Sequence, residues 1–257
     1  MYRYLILLLP VIFFLYQCKG ERNNPVEAKA IGLGLITVNT QYPLPLFRKA
    51  NDSAPFDTLK FEQRKSGATK FVTKGKLNPY QMSEGDSDEA GRKNIQMGLI
   101  RFAPVLKFRV LDTTASSYTI VSNEQTWDTL VIKRDPAAAY YVAEHQLADN
   151  NCINCPGSKY NPKWSVYETW DRYLKRVEFI TKDKLVIYDK PNGKAIFENK
   201  ENTFLPFGVE AVQGEWIKLK KGFGRESNFE DAKNYSGWTK WREGAHILIG
   251  ITEQTYE

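Results

Sequence analysis

Three cysteines and two histidines are all the thiol and imidazole chemistry available to this 257-residue chain. Two of the thiols sit together in Cys152-Ile153-Asn154-Cys155. At that spacing one thiolate can attack a disulfide while the other resolves it, and an oxidised pair clips a loop. His145 is near enough in sequence to join them, which opens two further readings. As metal ligands, the three fall short of the four that a closed zinc site needs. As nucleophile and base of a peptidase, either cysteine would need a strand-to-helix setting. Cys155-Pro156-Gly157-Ser158 reads as loop instead. Cys152 and Cys155 are therefore read first as a disulfide clip or simple thiols and second as a thiol–disulfide exchange pair. His246 opens the apolar run to Ile251 and reads as a strand residue. No phosphate-binding loop, dinucleotide fingerprint or Gly-x-Ser-x-Gly elbow occurs. The expectation is a binding protein rather than an enzyme, with no cofactor and no metal.

The elements that would hold these residues are mostly strands. Ile31 to Val38 and Tyr42 to Phe47 read as extended, the second as an edge because of Pro43 and Pro45. Gly98 to Val110, Ser117 to Val121 and Thr126 to Lys133 follow, the last with the alternation of a half-buried strand. The acidic cluster Glu84, Asp86, Asp88 and Glu89 lacks the spacing of a calcium loop and reads as surface. Ala137 to Leu147 is predicted as a short helix. A second is predicted from about 164 to 174, where Trp164, Tyr167, Trp170, Leu174 and Val177 recur at helical intervals. Opposite charges four apart, Glu168 with Arg172 and Asp171 with Lys175, support it. Asp149 to Pro162 concentrates turn formers and separates the two halves.

The first twenty residues read as an address. Arg3 precedes an apolar run from Leu5 to Tyr16, short for a bilayer-spanning helix. Cys18 follows directly, with polar Lys19 to Asn24 beyond it. This arrangement resembles a bacterial lipoprotein signal. The resemblance implies a signal peptide over 1–17, acylation of Cys18, and a tether over 18–30 that anchors the body to a membrane of the cell envelope. An ordinary secretory peptide or an uncleaved anchor would leave the body on the same side, outside the cytoplasm. The net charge of +6 is spread along the chain without a concentrated basic stripe, which argues against nucleic acid as a partner.

From Leu185 onward, short strands and turns alternate. Leu185 to Tyr188 leads into Asp189 to Gly193, whose Asn192-Gly193 is a tight-turn signal. Phe207-Gly208-Val209, Gly214-Glu215-Trp216 and Gly237-Trp238 follow in order. This order resembles a bacterial SH3-like domain, enlarged by an insertion from Gly222 to Ser236 that bears Phe223, Phe229 and Tyr235. The resemblance implies a small antiparallel β-barrel or roll over 182–254 and a cell-wall peptide, glycan or envelope protein as ligand. Tyr188, Asp189, Trp216, Trp238 and Trp241 are the expected ligand-binding residues, since flat aromatic faces stack on sugars and apolar groups while polar neighbours orient them. Leu44 to Phe56 with Thr126 to Ile132 echoes the same pattern, so the first half could be a diverged second module. The expected architecture is mainly β: a β-rich domain over 31–148, a loop and helix connector over 149–181, then the SH3-like domain. A lipid-anchored envelope binding protein is the leading functional expectation. An exported thiol oxidoreductase and a structural envelope lipoprotein are its alternatives.

Overall fold

A computed structural model describes residues 29–40, 42–63, 69–83, 105–141, 163–221 and 232–253. Cys18, Cys152, Cys155, His145, the acidic cluster at 84–89 and the signal segment lie outside the described residues. The chain is mainly β, as its sequence predicts, with one short helix among the described residues.

The first half supplies ten strands. They are β1 (Gly34–Asn39), β2 (Leu44–Leu46), β3 (Asp57–Gln63), β4 (Thr69–Val72) and β5 (Gln81–Ser83). Next come β6 (Val105–Thr113), β7 (Ser117–Asn123), β8 (Asp128–Lys133), β9 (Ala139–Tyr141) and β10 (Trp164–Thr169). Seven make one sheet in the order β8-β7-β6-β1-β10-β9, with β5 also on β6, while β2-β3-β4 form a second. Two expectations are corrected here. The stretch Trp164 to Thr169 is not helical but a strand antiparallel to β1, Ile36 lying opposite Tyr167. Its aromatic and β-branched residues suit either period, and the slot beside β1 decides the matter. Within the predicted helix of 137–147, Ala139–Tyr141 is likewise a strand, parallel to β10.

Alternation along β6 shows how the sheet is used. Leu106, Phe108 and Val110 point to one face and pack with Ile36, Val38, Leu46 and Leu59. Lys107 and Arg109 point to the other, and both are buried. Leu35 shares that second face, opposite Arg109 and Glu168, and belongs to a different apolar core. The charges there are paired. Arg109 is held by Glu124 at 3.0 Å with the rings of Tyr80, Trp127 and Trp170 around its guanidinium, and Arg176 holds Glu168 at 2.6 Å.

Helix α1 (Trp170–Arg176) covers this face. Thr169 caps it by accepting the Arg172 N–H, Asp171 sits in its first turn, and Lys175 and Arg176 in its last. Trp170, Tyr173 and Leu174 fall three and four apart and are buried. The second half then adds β11 (Phe179–Thr181), β12 (Val186–Tyr188), β13 (Ala195–Glu198), β14 (Gly208–Gln213) and β15 (Trp216–Lys220). A 3-10 turn at Ala232–Ser236 precedes β16 (Trp238–Lys240), β17 (Arg242–Glu243), β18 (His246–Ile247) and β19 (Gly250–Thr252). Five of these form a sheet in the order β13-β12-β16-β15-β14, while β11 pairs with β19 and β17 with β18. Among the described residues no sheet closes into a barrel. The second half is an open antiparallel roll whose inner face packs against α1, Ile180 and Leu35.

The echo between halves is partial. Leu44 pairs with Leu59 across a hairpin, as Val186 pairs with Glu198. Trp127, however, sits in a turn at φ 61° ahead of β8, whereas Trp216 begins a strand.

Candidate functional site

The register of the five-stranded sheet sorts the aromatic residues by face. Tyr188 lies opposite Trp238, Trp238 opposite Lys218, and Trp216 opposite Lys240. Side chains two apart on a strand share a face, so Tyr188, Trp216, Lys218, Trp238 and Lys240 occupy one side. Ile187, Ile217, Leu219 and Thr239 occupy the other, fully buried. The outer side is therefore an aromatic platform edged by lysines.

Gly237 is what lets the platform assemble. A Cβ there would lie 2.2 Å from Ile187 Cγ2 and 3.0 Å from the Tyr188 carbonyl oxygen. Only glycine allows β16 this close to β12, and the approach sets Trp238 beside Tyr188. Tyr188 meets Trp216 edge-to-face, with ring centres 5.2 Å apart. Lys240 Nζ stands 6.0 Å from the Trp216 ring centre. Trp216 is 8% exposed and forms the floor, whereas Tyr188 and Trp238 are half-buried and present part of their rings to solvent.

Charge around the platform is held in place by neighbours. Lys218 pairs with Glu210 at 3.0 Å. Glu215 accepts the Gly244 N–H at 2.8 Å and faces Lys240 at 3.6 Å and Arg242 at 3.4 Å. The Gly244 bond, with the Lys240 and Arg242 charges, holds the Glu215 carboxyl below its ordinary range against the opposing effect of desolvation. Lys182 donates to the Lys240 carbonyl at 2.6 Å, and burial followed by the Lys240 charge lowers its pKa.

Two sequence-predicted residues have other duties. Asp189 is exposed, and its Oδ1 accepts the Lys194 N–H at 2.8 Å, which fixes the β12–β13 turn beside the platform. Trp241 requires a correction. It is 2% exposed, donates its indole N–H to the Gly214 carbonyl at 2.9 Å and packs on Trp170 at 5.5 Å. No ligand can stack on a ring already enclosed in the core. Conversely, Lys218 and Lys240 were not anticipated from the sequence. Their signal was the two-residue step from Trp216 to Lys218 and from Trp238 to Lys240.

The platform can stack through its rings and hydrogen-bond through the Tyr188 hydroxyl and the Lys218 and Lys240 ammonium groups. His246 is exposed on β18, opposite Glu243. Among the described residues, no three His, Cys, Asp or Glu side chains gather as metal ligands. The chain matches no protein-family model, no curated protein and no solved structure.

Proposed function

We propose that this chain is a lipid-anchored protein of the cell envelope whose C-terminal roll, SH3-like in the order of its strands, binds a cell-wall peptide or glycan on its outer aromatic face. The observation that carries the reading is the pairing of Tyr188 with Trp238 over Trp216, with lysines at the margin. Half-buried aromatic rings on a rigid sheet offer stacking area at little entropic cost, and the lysines supply donors for carboxylates and hydroxyls. Membrane attachment belongs to Cys18 in this reading, and the tether lets the roll reach its ligand from the bilayer surface.

Binding of the full chain to purified cell wall, measured by co-sedimentation, tests the face. A stacking contact of about 1.4 kcal/mol corresponds to roughly tenfold in affinity. Trp238→Ala and Tyr188→Ala should each weaken binding by about that factor while the circular dichroism spectrum stays native. A folded double variant that sediments like the unaltered chain would overturn the assignment. Mass spectrometry of the mature N-terminus tests the anchor, with acylated Cys18 as the expected terminal residue.

A further inference from the structure

The first half contains a cleft of about 320 Å³, lined by strands other than those that carry the aromatic platform. It opens where the ends of β1 and β8 and the start of β10 meet β2. Its apolar lining comes from Val38, Leu44 and Phe47, with Tyr42, Pro43 and Pro45 on the same β1–β2 connection and β2. The two prolines have no N–H, so the backbone there offers no donor to a ligand at either position.

The charged part of the lining is mainly cationic, and Asn39 and Ser165 are neutral polar members of it. Lys133 and Arg134 come from the end of β8, and Lys163 from just ahead of β10. Lys133 Nζ donates to the Asp52 carbonyl and lies 4.3 Å from the Phe47 ring centre, which places a positive charge against the apolar wall. Arg134 lies 4.6 Å from the Tyr118 ring centre. One carboxylate, Asp135, also lines the cleft, and it accepts the Ala137 N–H of its own turn at 2.8 Å. Three cations and one carboxylate around an apolar wall favour a ligand that is negative at one end and apolar at the other.

We infer that this cleft binds a small organic anion, a carboxylate carried on an aromatic or branched aliphatic body. The volume corresponds to about ten waters at roughly 30 Å³ each, the size of a one-ring carboxylate. The apolar wall takes the body, and the cations neutralise the carboxylate in a partly dehydrated setting where Coulomb attraction exceeds its value in bulk water. The site stands apart from the platform, so its failure would leave the wall-binding reading untouched.

Calorimetric titration of the full chain with phenylacetate, phenylacetamide, acetate and inorganic phosphate tests it. Phenylacetate should bind saturably, with the neutral amide, the body-less acetate and phosphate each at least ~10-fold weaker, a difference of about 1.4 kcal/mol. Lys163→Gln, a change at an exposed side chain, and Lys133→Gln should each shrink the preference for phenylacetate over its amide severalfold. Absence of saturable phenylacetate binding overturns the inference. So does equal binding of the amide, equal binding of phosphate, or an unchanged preference in both folded variants.

Discussion

Trp238 opens β16 and Trp241 follows its last residue, three positions on, where its N–H still bonds to the Glu215 carbonyl; that odd step decides their roles. On a strand, an odd step turns a side chain to the opposite face, so one tryptophan had to point inward once the other pointed out. The rule was available from the sequence, but the short strands hid which residues were extended. Replacing Trp241 with alanine removes the largest fully buried side chain among the described residues and the bond to Gly214. Trp241→Ala should therefore lower stability by about 3–5 kcal/mol, seen as a fall in urea midpoint. Trp238→Ala, on the half-open face, should move that midpoint much less while it weakens wall binding. A reversed ranking would mean the faces are misassigned. The Gly237-Trp238 pair was legible as a motif, and its reason is steric: the glycine brings β16 against β12.

At the scale of elements, β1, β2, β6, β7 and β8 of the first half and the main strands of the second were legible because alternation and turn residues agree, whereas β3, β4 and β5 were not. The Asn192-Gly193 signal does mark a hairpin, with Asn192 at φ 58° between β12 and β13. The misreading of β10 has a physical cause. Trp164, Tyr167 and Trp170 match a helical period, and Tyr167 indeed packs on an aromatic neighbour, Tyr118 at 5.4 Å. The helix begins only at Trp170 because the preceding six residues fill the ladder beside β1, a demand made by a strand far away in sequence. Gly34 is the tightest point of that ladder. A Cβ there would lie 1.9 Å from the Glu168 carbonyl oxygen and 2.7 Å from Thr169 Cα, both backbone atoms that cannot swing aside. Gly34→Ala should cost about 3 kcal/mol and speed hydrogen exchange along β1 and β10 relative to the five-stranded sheet. Uniform acceleration across both sheets would instead show that the ladder has no separate stability.

At the scale of the whole molecule, the two halves are joined through buried polar groups as well as through apolar packing. Glu253, just beyond β19, receives Lys107 of β6, the Tyr173 hydroxyl at 2.8 Å and Arg176 at 3.6 Å. None of this was legible, since nothing local marks Glu253 or Lys107 as partners. Burial raises the Glu253 carboxyl, but the Lys107 and Arg176 charges and the Tyr173 hydroxyl outweigh it and hold it below its ordinary 4.5. The unfolded chain therefore takes up this proton at higher pH than the folded one. The stabilisation is complete above about pH 4.5 and is lost as pH falls through the lower folded value. Glu253→Gln should be less stable at neutral pH, because it leaves buried cations short of a partner. It should also lose less of its remaining stability on acidification, read from urea midpoints at several pH values. Parallel acid limbs for the two proteins would count against a titrating role for Glu253. The pairing of β1 with β10 has a further consequence, for the order in which the protein can fold. Gly34 waits for Thr169, and Leu35 enters a core that also contains Trp241. A chain emerging from its N-terminus first must carry β1 with one edge open until β10 arrives. Such long-range closure is slow and exposes strand edges meanwhile. A chain of this design depends on being kept apart from its neighbours until β10 has been made.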